Sequence, residues 1–406
     1  MSKKISVFLF AFFIVLFPVL SLLSPYRSHS DVEKRDLARF PALTLSSYAD
    51  RGFANGFNLF ISDHFVGRDV WMVAHTALTL LTGSRESGTS VDTTGDQKNA
   101  QTTAESGQGG QAFLGKGCLI GDLPEPDSES SPNYRQQNGK FIYQNNAAAI
   151  DAFAKTHALP VYLMLVPTAE EVESDKLPAF SPTWSQSAML RQVYGSFRSA
   201  KPLDVLGALT AHRNEYIYYR TDHHWTSLGA YYAYEASGKA LGFTPLPLSA
   251  FRVETVSKNF NGTLYNESGY RMIRPDQIDL YHNKAGDNIQ SLLIENGGAK
   301  KTYKSIYFRD ALKTADQYNV FFNSNNTLET VKTGNGNRKL LLVKDSFALS
   351  LAPFLCNQYG EITMIDMRGN TDTLDQMVNV KNYDAVLFCY NVEEFESDSD
   401  LQNINP

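Results

Sequence analysis

The sequence predicts an α/β fold, a parallel sheet with helices on both faces. Apolar runs of strand length, at Leu159–Pro167, 338–344, 361–366 and 384–390, alternate along the chain with helix-like stretches. These runs are apolar at nearly every position rather than at alternate ones. That pattern suits strands covered on both sides, as parallel strands are. With 406 residues the chain is long enough for one large domain or two smaller ones with ample core.

The elements follow in order. Lys3 and Lys4 precede nineteen mostly apolar, uncharged residues, Ser6 to Ser24. At about 1.5 Å per residue this run can cross a bilayer, so residues 1–25 are expected to form a transmembrane signal anchor. The lysines favour a cytoplasmic N-terminus with the rest of the chain outside. A cleaved signal peptide, and hence a secreted protein, is the rival. The run is longer than a typical signal core and no clear Ala-x-Ala site follows, which favours the anchor. Residues 26–82 are expected to be a helical juxtamembrane segment, with Phe53, Phe57, Phe60, Ile61 and Phe65 giving amphipathic spacing. Residues 83–112 are nearly free of large apolar side chains and cannot offset their ordering entropy, so a disordered linker or loop is expected.

The remainder, 113–406, reads as one α/β domain. Helices are expected near 141–157, 184–198 and 226–241, with a Tyr-rich strand at 215–220. A less regular section, 250–335, holds short candidate strands at 301–304 and 318–322. After it come the strands at 338–344, 361–366 and 384–390, with helices at 347–358 and 371–380. Pro353 is a candidate kink. No internal repeat is present.

Composition removes some function classes. A net charge of -6, with no basic stripe interleaved with aromatics, argues against nucleic acid. Cys118, Cys356 and Cys389 match no metal spacing. Cys356 and Cys389 fall in apolar runs and read as buried free thiols.

Residues 221–225, Thr-Asp-His-His-Trp, carry the chemistry. In extended backbone, side chains at i and i+2 share a face, which would set Asp222 beside His224 and turn His223 away. A carboxylate beside an imidazole is two-thirds of the apparatus that activates a serine. Ser346 follows the strand Lys339–Val343 and precedes a helix, at the sheet edge where open α/β sheets bind ligands. The N–H groups of Ser346 and Phe347 would be suited to steady an oxyanion. Taken alone, Asp345 and Ser346 are better read as a helix cap. Paired with the Asp-x-His element they favour catalysis. A metal site at the two histidines has no third ligand of familiar spacing nearby, with His64 a distant candidate. Trp225 reads as a lid or floor.

Several segments resemble one known family. Arg220-Thr-Asp-His-His-Trp-Thr-Ser-Leu-Gly-Ala-Tyr is similar to the signature of the DHHW proteins, which are related to the alginate O-acetyltransferase family of SGNH-hydrolase-like, periplasmic proteins. Glu33–Pro41, Asp63–Arg68, Val166–Thr168 with Asp175–Pro178, Phe260–Tyr265 and Val343–Phe347 also resemble that family's segments. The resemblance implies an SGNH-hydrolase-like fold and a triad of Ser346, His224 and Asp222. It also implies the permuted chain order, with Asp-x-His ahead of the serine. The Gly that precedes Asp-Ser in ordinary SGNH enzymes is Lys344 here. Phe347, Arg368, Tyr390 and Asn391 are the candidate oxyanion or substrate-binding residues, the last three because they sit at strand ends on the same edge.

The expected activity is that of an O-acetyltransferase or acetyl esterase acting on an exported glycan, without cofactor or metal. Tyr216, Tyr218, Tyr219, Tyr231, Tyr232 and Tyr234 would suit a sugar-facing cleft, although most are expected to pack. The resemblance further implies a membrane-bound O-acyltransferase as partner. The alternative is a non-catalytic glycan-binding or envelope-assembly protein on the same fold.

Overall fold

The computed structural model describes residues 112–121, 140–178, 181, 183–268 and 270–405. Before these it describes 5, 12, 16, 17, 19–21, 24, 26–30, 35–44, 52–68, 70, 71, 90 and 91. The chain divides into two compact units. The smaller comprises 1–86, 91–110 and 265–272, and the larger 87–90, 111–264 and 273–406.

In the smaller unit, His29–Ser30 pairs antiparallel with Arg35–Asp36, and a helix spans Gly52–Asp63. The continuous helical segment expected over 26–82 is therefore interrupted. Asp63 explains part of this: its carboxylate accepts the Ala38 N–H at 2.7 Å, holding non-helical chain against the helix end. His64 has both ring nitrogens on backbone carbonyls, of Phe60 and Arg27. Among the described residues no helix is long and apolar enough to cross a membrane. Most of the expected anchor, and nearly all of 83–111, lies outside the described residues.

The larger unit is built on an eight-stranded sheet. Its helices include α1 (Ile142–Thr156), α2 (Gln186–Ser196), α3 (Ser227–Leu241), α4 (Ala348–Leu355) and α5 (Val392–Ser397). Its strands include, with those of a separate hairpin, β1 (Val161–Val166), β2 (Lys201–Pro202), β3 (Phe251–Phe260), β4 (Asp276–Asn283), β5 (Ile289–Asn296), β6 (Ala299–Tyr303), β7 (Leu328–Thr333), β8 (Lys339–Lys344), β9 (Glu361–Ile365) and β10 (Ala385–Asn391). The sheet order is β6-β5-β7-β9-β8-β10-β1-β2. The five strands from β9 to β2 are parallel, and β7, β5 and β6 continue the sheet antiparallel.

The wholly parallel sheet is thus corrected to a mixed one. The antiparallel edge comes from 289–333, where half-buried strands such as Leu328–Thr333 alternate buried and less buried residues. That period-2 pattern marks strands with one wetter face. The candidate strand 215–220 is also corrected: only Tyr218 bridges, to Trp225, across a bend. The candidate strand 318–322 is largely a 3-10 turn, Gln317–Val320. The helix expected over 371–380 shortens to Leu374–Met377 and a 3-10 turn at Val380–Asn382. Within 250–335, the long hairpin β3–β4 is an element that sequence reading left irregular.

Alternate residues of the parallel strands feed two cores. Tyr162, Met164, Leu340, Leu342, Leu387 and Cys389 pack on one face with α3 and α4. Val161, Leu163, Leu341, Val343, Val386 and Phe388 pack on the other with α1, α2 and α5. The chain leaves β8 onto the first face through α4 and leaves β10 onto the second through α5. These neighbouring strands therefore send their following segments to opposite faces. That divergence marks a switch point at the carboxyl edge, where α/β sheets bind ligands. All three cysteines are buried free thiols.

Leu342 is fully buried in the first core. Leu342→Ala is expected to lower the free energy of unfolding by roughly 2–5 kcal/mol through lost burial and a residual cavity. Urea denaturation measures this; a loss below about 1 kcal/mol would contradict this packing.

Candidate active site

Two short loops meet at this edge, and each is shaped by an aspartate that accepts the N–H two residues ahead. Asp222 Oδ1 accepts the His224 N–H at 3.0 Å. Asp345 Oδ1 accepts the Phe347 N–H at 2.8 Å. Such Asx turns satisfy backbone locally and set a tight bend at each loop.

In the first loop, Asp222 Oδ1 also lies 2.6 Å from His224 Nδ1, and Oδ2 accepts the Thr263 N–H at 2.8 Å. The pair is adjacent as expected, but a turn rather than extended backbone brings it together. His223 does not turn away: its ring lies 4.0 Å from that of His224, centroid to centroid. A Cβ on Gly262 would collide with the Cβ and Oδ2 of Asp222, so only glycine permits this approach.

Asp276, buried at the start of β4, clamps the loop from below. It accepts the backbone N–H groups of Arg220 and Thr221 at 2.9 and 2.8 Å, the Thr221 hydroxyl at 2.5 Å, and the Tyr216 hydroxyl. Burial pushes its carboxyl above the usual range despite these donors. Trp225 is fully buried and donates Nε1–H to the Phe347 carbonyl at 3.0 Å, tying the two loops together. It is a floor. Thr226 then caps α3, accepting the Gly229 N–H at 3.3 Å.

The second loop follows β8. Ser346 is half-buried between buried neighbours, and its Oγ lies 2.7 Å from His224 Nε2. Asp345 Oδ2 accepts the Asn391 N–H and Nδ2–H at 2.6 and 2.7 Å, linking the loop to the end of β10. Burial raises the Asp345 carboxyl to about 6. Neither Asp345 nor Ser346 caps α4 with its side chain.

The structure therefore brings Asp222, His224 and Ser346 into one hydrogen-bonded chain. The oxyanion candidates fare differently. The Phe347 N–H is taken by Asp345; its ring instead lies 4.9 Å from that of His224. Asn391 holds Asp345, and its own Oδ1 accepts the Glu394 N–H. Arg368 is bound by Asp366 at 2.5 Å and faces Glu394 at 3.5 Å. Tyr390 is fully buried on the α1–α2 face of the sheet, near Phe395. Strand-end position placed these residues near the edge, but their donors or burial commit them to the scaffold. The Ser346 N–H makes no hydrogen bond to a described residue.

Tyr218, Tyr219, Tyr231, Tyr232 and Tyr234 are buried, so packing explains them rather than a sugar-facing cleft. The donor atoms of Asp222, His223 and His224 all lie within 4.8 Å of one another. Both nitrogens of His224 are engaged, by Asp222 and Ser346, leaving it no lone pair directed at a cation. Tyr318, which sequence reading assigned to a strand, stacks on His224 at 4.1 Å and 15°. Lys344, fully buried, donates to Asn325 at 2.9 Å and lies 3.8 Å from Asp366.

The DHHW protein family model matches residues 87–365. A DHHW family protein from Eubacterium siraeum superposes with a TM-score of 0.61 at 24% identity, over 73% of this chain and 94% of that one. PatB1 of Bacillus cereus gives 0.57 at 20% identity, over 71% and 98%. The same protein with a sulfonyl adduct gives 0.56 at 19%, over 71% and 96%. These likenesses concern the fold. No curated protein sequence matches.

Two outcomes follow from the site. Gly262→Ala should displace Asp222, costing roughly 1–3 kcal/mol of stability by overpacking and broadening or shifting the His224 imidazole resonances in NMR spectra. Unchanged spectra would contradict the close approach. The second concerns pH. Burial raises the carboxyls of Asp345, Glu329, Asp398, Glu394 and Glu396 to about 6, 7, 7, 8 and 9. A raised carboxyl contributes its stability fully below its unfolded value, near 4, and loses it as pH rises through the folded one. Asp366 is also pushed up by burial, but Arg368 brings it below the usual range. Its contribution is lost only in stronger acid. Unfolding free energy is therefore expected to fall from about pH 5.5 to about pH 8.5, and urea titrations at both would show a rise if this is wrong.

Proposed function

The chain belongs to the DHHW family, and on that premise we propose that it is an extracytoplasmic O-acetyltransferase or acetyl esterase acting through Ser346, His224 and Asp222. One observation carries this reading: the hydrogen-bonded chain from Asp222 Oδ1 to His224 Nδ1 at 2.6 Å and from His224 Nε2 to Ser346 Oγ at 2.7 Å. These are the contacts a general base needs to a nucleophile and to the group that orients it.

His224 Nε2 takes the Ser346 hydroxyl proton as Oγ attacks an acetyl ester carbonyl. The new C–O bond gives a tetrahedral oxyanion, for which the Ser346 N–H is the candidate donor. Collapse breaks the ester C–O bond, and the proton on His224 passes to the leaving alcohol. The acetyl group is then on Ser346. An acceptor hydroxyl, deprotonated by His224, attacks it and restores the serine. A sugar hydroxyl as acceptor makes the reaction transfer, and water makes it hydrolysis. Asp222 keeps the proton on Nδ1 and offsets the charge of the imidazolium. The resemblance to the alginate O-acetyltransferase family favours transfer to an exported polysaccharide or cell-envelope glycan. The apolar run Ser6–Ser24 behind Lys3 and Lys4 supports an anchored, exported catalytic unit. Outside the cytoplasm the acetyl group needs a carrier, for which a membrane-bound O-acyltransferase is the proposed partner.

Ser346→Ala is expected to lower turnover of a chromogenic acetyl ester by at least ~10³-fold, and Asp222→Asn by roughly 10²–10⁴-fold. A sulfonyl fluoride should add its sulfonyl mass at Ser346, a probe favoured by the sulfonyl adduct of PatB1. Turnover unchanged in Ser346→Ala overturns the proposal.

A further inference from the structure

The ring of Tyr318 lies over the His224 imidazole, 4.1 Å between centroids and 15° from parallel, and both side chains are buried. Tyr318 is itself held on several sides. Its hydroxyl donates toward the Ser346 carbonyl at 3.3 Å or the Ser350 hydroxyl at 3.2 Å. Tyr219 meets its ring edge-on at 6.3 Å, and Phe321 lies at 5.3 Å. The segment that follows turns through three consecutive left-handed residues, Phe322, Asn323 and Ser324, with φ of 55°, 62° and 88°. Asn326 spans this turn by donating to the Phe322 and Ser324 carbonyls and to Glu329. Non-glycine residues hold such backbone only where their surroundings over-determine it.

We propose that Tyr318 is a positioning residue whose π face stabilises the protonated imidazole of His224 while its hydroxyl steadies the Ser346 backbone. An aromatic face attracts a cation placed against it, most strongly where water is excluded. The other titratable groups around this stack are Asp222 and His223 from the same loop, Asp345 behind the serine, Cys389 in β10, and Tyr219 at the edge of Tyr318. Asp222 acts on the imidazolium in the ring plane, and Tyr318 acts on it from the face. The two contributions are separable by substitution. In turnover, the consequence rests on the function proposed above; the stacking itself does not.

The test is an NMR titration of the His224 imidazole in the full chain carrying Tyr318→Phe, then ring-fluorinated phenylalanines at 318 that keep the shape and drain the π face. The midpoint should stay near wild type in Tyr318→Phe and fall with each added fluorine, by about half a unit or more across the series. A midpoint indifferent to fluorination overturns the proposal, whether or not the protein turns over acetyl esters. Tyr318→Leu, if folded, should lower the midpoint as well. In Tyr318→Phe the hydroxyl's role should appear as a severalfold fall in kcat with KM little changed. A flat midpoint in a protein active through Ser346 sinks this inference alone; a falling midpoint with no Ser346-dependent turnover sinks only the function.

Discussion

The Asp222 carboxylate is the point on which the site turns. One of its oxygens receives both the backbone N–H and the ring N–H of His224, and the other receives the Thr263 N–H. Backbone geometry and ring orientation are therefore set by the same acceptor, and rotating the His224 ring would forfeit its Nδ1 contact with that acceptor. The partner groups come from elsewhere. Gly262 leaves the space the carboxylate fills, and Asp276 fixes the chain just before it. A local turn with distant supports gives a rigid imidazole on a loop, which is what an oriented base requires.

The loop that carries Ser346 repeats the device with different supports. Asp345 turns the chain at Ser346 and is gripped by Asn391 from the neighbouring strand. Because Ser346 itself is spared from capping α4, its hydroxyl can face His224. Trp225 then bridges the loops through the Phe347 carbonyl. Behind this lies a buried ionic layer, with Arg368 on Asp366 and Lys344 between Asp366 and Asn325. Breaking such a layer leaves an uncompensated buried charge, so its members are coupled.

Legibility differed by residue. The apolar runs at β1, β8, β9 and β10 announced themselves because burial on both faces demands an apolar side chain at nearly every position. Asp222, His224 and Ser346 were legible as residue types at telling positions. For Arg368, Tyr390 and Asn391, strand-end position says nothing about which neighbour claims a side chain; the fold sets them against Asp366, Phe395 and Asp345. Tyr318 was invisible, since an aromatic run has the same composition in a strand and in a 3-10 turn.

The sequence by itself determined four of the parallel strands, the two covered faces and the identity of the three polar groups that meet at the sheet's edge. Those follow from periodicity and residue chemistry, which are local. Tertiary structure decided how the groups meet. A bend replaced the expected strand at 215–220, a hairpin supplied Asp276, and a strained turn delivered Tyr318 to the face of the imidazole. Each depends on hydrogen bonds and ring contacts between segments remote in sequence, and no pattern within a short window encodes them.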